Sequence, residues 1–373
     1  MDAVGIIFSN IHDANLPELT SGRTTASIPF GGRYRLIDFA LSNMVNSGLT
    51  KVGVITKSNY QSLMDHVGSG KDWDLARRHG GLIILPPFGV QESTSLYSTR
   101  LEALKTVTGF LAKSTEEFVI LSDSDMVCNI DYKELLAFHN SRQADITLTY
   151  FKTPAKNMAG ANNIVLGLEE KGKLIDMAFD PNANDCDEQV NLYANICIMR
   201  RTLLQNLVAD AVAHNKRHFG ADILAANINR LKIFAWEHRG YFVKISSLQS
   251  YYEESLNLLK KENRDSLFGS GGVYTKVKDS IPTTYGDNSV VKNSLIADGC
   301  CIEGEVYNSI IFRGVKIGKG TVVKNSILMQ DTIVGENALI NCIITDKNVV
   351  VKDKRMLSGC STHPFFVYKK TVL

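Results

Sequence analysis

Two short loops carry the residue types on which phosphate or metal chemistry would rest: Ser9-Asn10-Ile11-His12-Asp13-Ala14-Asn15-Leu16 and Ser122-Asp123-Ser124-Asp125. Each directly follows an apolar run that reads as a buried strand, and open α/β sheets bind ligands beyond the carboxyl ends of their strands. Asp123 and Asp125 could hold a stray cation or stand as an ordinary solvated loop. Arg23, Arg33 and Arg35 lie close together; three guanidiniums can grip a phosphate bidentately, or be solvated, or pair with acids such as Asp38. His214 and His218 have the i, i+4 spacing of helix-borne metal ligands. The intervening Asn-Lys-Arg is polar and no third ligand is apparent, so they read as surface residues.

The elements that must position these loops follow from periodicity. From Met1 to about Leu259, short apolar runs alternate with segments of helical period, the pattern of a mostly parallel sheet covered by helices in a Rossmann-like layout. Ala3 to Phe8, Val52 to Thr56, Leu82 to Leu85 and Phe118 to Leu121 are the expected strands, and Val165 to Asp180 the expected hairpin. Ile37, Leu41, Met44 and Val45 share one helical face, which Gly48 should terminate. Residues 260–280 turn polar and read as a linker around Gly269-Ser270-Gly271-Gly272. Residues 281–373 carry a six-residue apolar period in three triads: Val290, Ile296, Ile302; Ile311, Ile317, Val323; Leu328, Val334, Ile340. With glycines after Ile317 and Val334, this predicts three coils of a triangular β-helix. Asn-Ser steps at 293, 308 and 325, and Asn-Cys at 341, support the repeat.

Bulk composition narrows the partners. The chain has 373 residues, 44% hydrophobic and 21% charged, enough for two domains, and a net charge of +2. So small and dispersed an excess gives no basic face for nucleic acid or an anionic membrane. The seven cysteines (128, 186, 197, 300, 301, 342 and 360) form no CxxC pair and no zinc spacing, as expected of reduced thiols in a cytoplasmic protein. No stretch approaches a membrane span, and the N-terminus lacks a signal-like basic region.

The run Ile28-Pro29-Phe30-Gly31-Gly32-Arg33-Tyr34-Arg35-Leu36-Ile37-Asp38-Phe39-Ala40-Leu41-Ser42-Asn43 resembles the signature of glucose-1-phosphate adenylyltransferases, the ADP-glucose pyrophosphorylases. Trp73-Asp74-Leu75, Leu85-Pro86-Pro87, Asp131-Tyr132 and Phe219-Gly220-Ala221-Asp222-Ile223 resemble later landmarks of that family, in the same order. The resemblance covers essentially the whole chain. It implies a nucleotidyltransferase domain followed by a left-handed β-helix, and its departures fall on chemistry rather than scaffold.

Where catalytic members have Gly-Gly-x-Gly-x-Arg-Leu to hold the triphosphate, this chain has Ser9 to Leu16, with Asn15 at the Arg position and bulk at Ile11 and Asp13. The Asp13 carboxylate should repel a triphosphate. The family's Arg-Ala-Lys-Pro becomes Arg23-Thr24-Thr25-Ala26, which removes a cation at Thr25. Of the two family aspartates for Mg²⁺, one matches Asp125, with Asp123 a competing choice, and the other is replaced by Lys244. Asp125 is thus the one remnant of a metal site, and no metal is expected to bind productively. Where catalytic members hold glucose 1-phosphate with a Glu-Lys-Pro, this chain has Phe179-Asp180-Pro181, with Asn195 a further pocket equivalent, and the Gly-Thr-Ala turn becomes Thr99-Arg100-Leu101. Losing one such electrostatic contact typically costs about 2.7 to 4 kcal/mol at a transition state, although Arg100 or Lys244 could compensate in part.

The resemblance therefore points to the non-catalytic companion subunits of the family. It implies weak or absent activity and no cofactor of its own, Mg²⁺ being expected in a catalytic partner with which this chain forms a hetero-oligomer, expected to be a tetramer. Arg23 and Arg35 match positions lining an anionic-effector pocket in regulated members, so Arg23, Arg33 and Arg35 are effector-binding candidates for a sugar phosphate. An active nucleotidyltransferase with a divergent loop is the alternative. An acyltransferase of the β-helix class is set aside, because no histidine lies between Ile281 and Cys360 to serve as general base.

Overall fold

The computed structural model describes residues 1–87, 97–158, 162–181, 187–269 and 271–373. Among them, nine strands form the main sheet: β1 (Ala3–Phe8), β2 (Lys51–Ile55), β3 (Gly81–Leu85), β4 (Phe118–Asp123), β5 (Ile146–Pro154), β6 (Ile164–Leu168), β7 (Leu174–Phe179), β8 (Gln189–Arg200) and β9 (Ile233–Glu237). Their path runs β7-β6-β8-β4-β1-β2-β3, with β5 joining β8 to β9. The four strands foreseen from apolar runs are mutually parallel, and Gly5 sits opposite both Val52 and Ile120. Beyond β4 the sheet turns mixed: β8 runs antiparallel to β4, β5 and β6, while β6 and β7 form the expected hairpin. β1 is buried along its whole length because the sheet is covered on both faces. The helix Leu36–Asn46 buries Ile37, Leu41 and Met44, and Gly48, at φ +85°, donates its N–H to Val45 O to stop it.

The second half is a β-helix of three parallel sheets, each of five strands among the described residues. Five coils replace the three that the triads predicted. Successive strands pair at offsets of 15 and then 17 rather than 18: Ile302 lies on Ile317, Ile317 on Val334, and Val334 on Val351. A strict count of six therefore slips at the corners. It also misplaces the first coil, where Val291, opposite buried Val306, faces inward and Val290 does not. Asn293, Asn308 and Asn325 take left-handed φ of +46° to +47° at one corner, and their side chains form a ladder. In the next coil the left-handed residue is Cys342, not Asn341, although Asn341 still accepts the ladder bond from Asn325. Asparagine suits this corner because its short amide tolerates the left-handed region and bonds its neighbour.

The segment expected as a linker carries the helix Lys261–Phe268. Its Leu267 is fully buried in a core that runs from Leu16, Phe30 and Phe39 through Tyr251 to Ile310, Ile327 and Ile344. The two halves are thus joined by shared apolar packing, which the polarity of 260–280 concealed. No helix among the described residues is long and apolar enough to cross a membrane.

Candidate functional site

The carboxyl ends of β1 and β4 are adjacent in the parallel sheet, with Phe8 opposite Asp123, so the two loops that follow them meet. The β4 loop is held rigidly: Ser124 Oγ donates to Phe8 O (2.8 Å), and Ile245 N donates to Asp125 O (2.7 Å) from the strand Phe242–Lys244. His12 reaches across from the β1 loop. Its Nε2 donates to Asp123 Oδ2 at 2.8 Å and lies 3.6 Å from Asp125 Oδ2. All three side chains are buried, and each offers one ligand atom within 4.8 Å of the others. The single remnant expected at Asp125 is thus corrected to a three-residue cluster, because pairing of β1 with β4 brings in a residue 111 positions away.

Burial alone would keep His12 neutral, but Asp125 and Asp123 outweigh it and raise its pKa above the ordinary 6.5. Asp123 is likewise opposed by burial, yet Arg100 and the bond from His12 hold it below the usual carboxylate range. Asp125 goes the other way: burial and the charge of Asp123 push it up, against His12 and Lys244. Neither Asp125 oxygen has a hydrogen-bond partner of ordinary geometry. Arg100 is the unexpected neighbour. It opens the helix Arg100–Thr106, set by a capping box between Thr99 and Glu102, and its guanidinium lies between the Phe8 and Phe219 rings, at 4.9 and 5.5 Å. Its Nε approaches Asp123 Oδ1 (3.2 Å), and Nη2 donates to Asn195 O (3.0 Å).

A cleft of about 580 Å³ opens above this cluster, lined by His12, Arg100, Asp180, Asn195 and His218 among others. Asp180 does stand on the cleft, although its Oδ1 is engaged by Asn163 N (2.7 Å). Asn195 occupies a β-bulge in β8 with φ +55°. Lys244 donates to Asn162 O (3.0 Å) and Asn163 Oδ1 (3.4 Å), and its charge still reaches the His12 cluster. Asp13, expected to face a triphosphate, instead accepts from Thr25 N and Oγ1 (2.8 and 2.7 Å), so two of the altered positions satisfy one another. The Asn15 amide nitrogen is buried without a partner. His214 pairs with Asp210 (3.1 Å), and among the described residues neither it nor His218 belongs to a group of three potential metal ligands.

Mg²⁺ prefers an octahedron of oxygens at about 2.0–2.1 Å. Here two carboxylates are joined by an imidazole nitrogen, which takes the place of a third oxygen. The donor set does not fit that ion.

The arginine candidates separate. Gly31 and Gly32, at φ +60° and +85°, form the tight turn between Pro29–Phe30 and Tyr34–Arg35 that presents Arg33 and Arg35 to a cleft of about 190 Å³ between the halves. Lys276, Lys278, Arg313 and Lys347 line the same cleft. No sequence motif could have assembled these, since they come from the linker and two coils. Burial, Arg35 and Arg23 press the Lys347 ammonium down to about 7. Arg35 also donates to Ser62 O and Oγ. Arg23 is the correction: it does not line the cleft but is buried, its Nη2 donating to both Asp346 oxygens at 2.6 Å.

Residues 14–260 match the nucleotidyl transferase family model, and residues 280–360 match the GlmU-like C-terminal hexapeptide model. The chain is 33% identical to the glycogen biosynthesis protein GlgD of Bacillus subtilis over 99% of its own length and 96% of that protein. It is 33% identical to the glucose-1-phosphate adenylyltransferase of Thermosipho africanus, covering 87% of this chain and 78% of that one. For the Geobacillus stearothermophilus enzyme of the same name the identity is 30%, over 86% and 83%.

Proposed function

Because the chain belongs to the nucleotidyl transferase family that includes the glucose-1-phosphate adenylyltransferases, we propose that it serves glycogen biosynthesis as a regulatory or structural subunit. In this reading it assembles in the cytoplasm, as a heterotetramer, with an active homologue that makes ADP-glucose and pyrophosphate from ATP and glucose 1-phosphate. The observation that carries the reading is the His12 imidazole lodged against Asp123 and Asp125, with Lys244 in place of a further carboxylate. A triphosphate transfer needs a dication to neutralise charge on the α-phosphate, and this centre meets the substrate with the donors of a different ion. Asp180 on the wall of the cleft adds negative charge where a sugar phosphate would lie.

The cationic cleft bearing Arg33, Arg35 and Lys347 supports a regulatory role: it suits a small phosphorylated effector and lies where the two halves meet. The open cleft beside Arg100 favours the alternative, an active transferase with a divergent loop. One experiment separates the two. Purified chain is assayed with ATP, glucose 1-phosphate and Mg²⁺, alone and mixed with the homologue. Lone turnover within about tenfold of the ordinary 10 s⁻¹ supports the alternative, whereas a mixture exceeding the sum of its parts supports the companion role. The triple variant Asn15→Arg, Thr25→Lys, Lys244→Asp should gain activity if those charges are what is missing.

A further inference from the structure

We propose that His12, Asp123 and Asp125 form a binding site for a divalent ion of the zinc and cobalt class, distinct in donor type from a magnesium site. Asp125 is 1% exposed and both its oxygens lack a hydrogen-bond partner of ordinary geometry, although they face the imidazole of His12. A buried carboxylate left so is costly, and a cation supplies what the protein does not.

The spacing suits a small ion. Tetrahedral ligands about 2.0–2.1 Å from zinc lie roughly 3.3 Å from one another. His12 Nε2 stands 3.6 Å from Asp125 Oδ2 and 2.8 Å from Asp123 Oδ2, and the three ligand atoms lie within 4.8 Å of one another, so an ion among them would open the second pair by about half an ångström. The donors are pre-positioned: Asp125 by the bond from Ile245, the loop by Ser124 on Phe8, and Asp123 by Arg100, which approaches Oδ1 and leaves Oδ2 toward the histidine. One imidazole and two carboxylates favour zinc or cobalt over magnesium or calcium, which take oxygen donors in larger number. Three protein ligands leave a fourth position, and His12 is the ligand that lines the cleft of about 580 Å³. On binding, the ion takes the Nε2 lone pair and the proton now shared with Asp123 leaves to solvent.

This site does not depend on whether the chain transfers nucleotides, and its test reads no turnover. Chain freed of metal, in a Cys360→Ser background to remove the exposed thiol, is titrated with Co²⁺ by visible absorption and with Zn²⁺ by calorimetry. The expected result is one ion per chain, with affinity at least tenfold weaker in Asp125→Asn and in His12→Gln, no loss in His214→Gln, and no displacement by a thousandfold excess of Mg²⁺. Asp125→Asn is nearly isosteric, and circular dichroism of each variant verifies folding. Absence of saturable binding, unchanged affinity in both folded variants, competition by Mg²⁺, or a thiolate charge-transfer band carrying the stoichiometric ion would each overturn the proposal.

Discussion

Replacing Asp346 with alanine isolates a buried charge contact between the first half of the chain and the β-helix. Arg23 comes from the segment after the first loop and Asp346 from the fourth coil, and Nη2 reaches both carboxylate oxygens at 2.6 Å with both side chains nearly sealed from water. Asp346→Ala leaves a guanidinium buried without its counter-charge. Removing one partner of such a pair costs about 3–5 kcal/mol, several times the value of an exposed ion pair. For 373 residues unfolding as one unit, an entropy of about 2.1 cal/mol/K per residue gives roughly 0.8 kcal/mol/K, so the melting midpoint should fall by about 4–6 °C. The double variant Arg23→Met, Asp346→Leu should recover most of the loss, because two apolar side chains of similar bulk carry no desolvation penalty. The measurement is calorimetry of both single variants and the double, taken as a cycle. A loss below about 1 kcal/mol in Asp346→Ala, or a double variant no better than the sum of the singles, refutes a closed buried pair. The second outcome would return Arg23 to the pool of effector ligands, since an arginine held for an incoming anion should not depend on Asp346.

Three further outcomes are expected. The His12 ring should titrate above 6.5 by NMR in chelator, and Asp125→Asn should lower that midpoint. The sign follows from linkage: a raised pKa stabilises the fold fully below the unfolded value and the gain disappears as pH rises through the folded one, so His12→Gln should cost more stability at pH 6 than at pH 9. Sulfate, whose charge is constant over this range, should bind the inter-domain cleft more weakly as pH rises through 7, where Lys347 loses its proton, and Lys347→Gln should abolish that dependence in calorimetric titrations. Gly318→Ala should destabilise the chain by about 1–3 kcal/mol in urea, because a Cβ there would lie 2.7 Å from Gly335 O, a backbone atom that cannot turn aside.

Local pattern was enough for much of this architecture. Apolar runs marked the four parallel strands, Gly48 marked a helix end, and the period near six marked a stacked β domain, because burial and backbone geometry act over neighbouring residues. Asn15, Thr25, Asp180 and Lys244 could be singled out too, because a resemblance is read one position at a time. What they do was not legible. That His12 belongs with Asp123 and Asp125 follows from the pairing of β1 with β4; that Asp13 holds Thr25 follows from the fold of the first loop. Sequence placed three arginines in one group, but packing against the fourth coil buried Arg23 on Asp346 and left Arg33 and Arg35 to a cleft completed by Lys347. Residue type and spacing determine which chemistry a chain has available. Electrostatic pairing depends on distances of a few ångströms between segments hundreds of residues apart, so only the tertiary structure decided which charges meet.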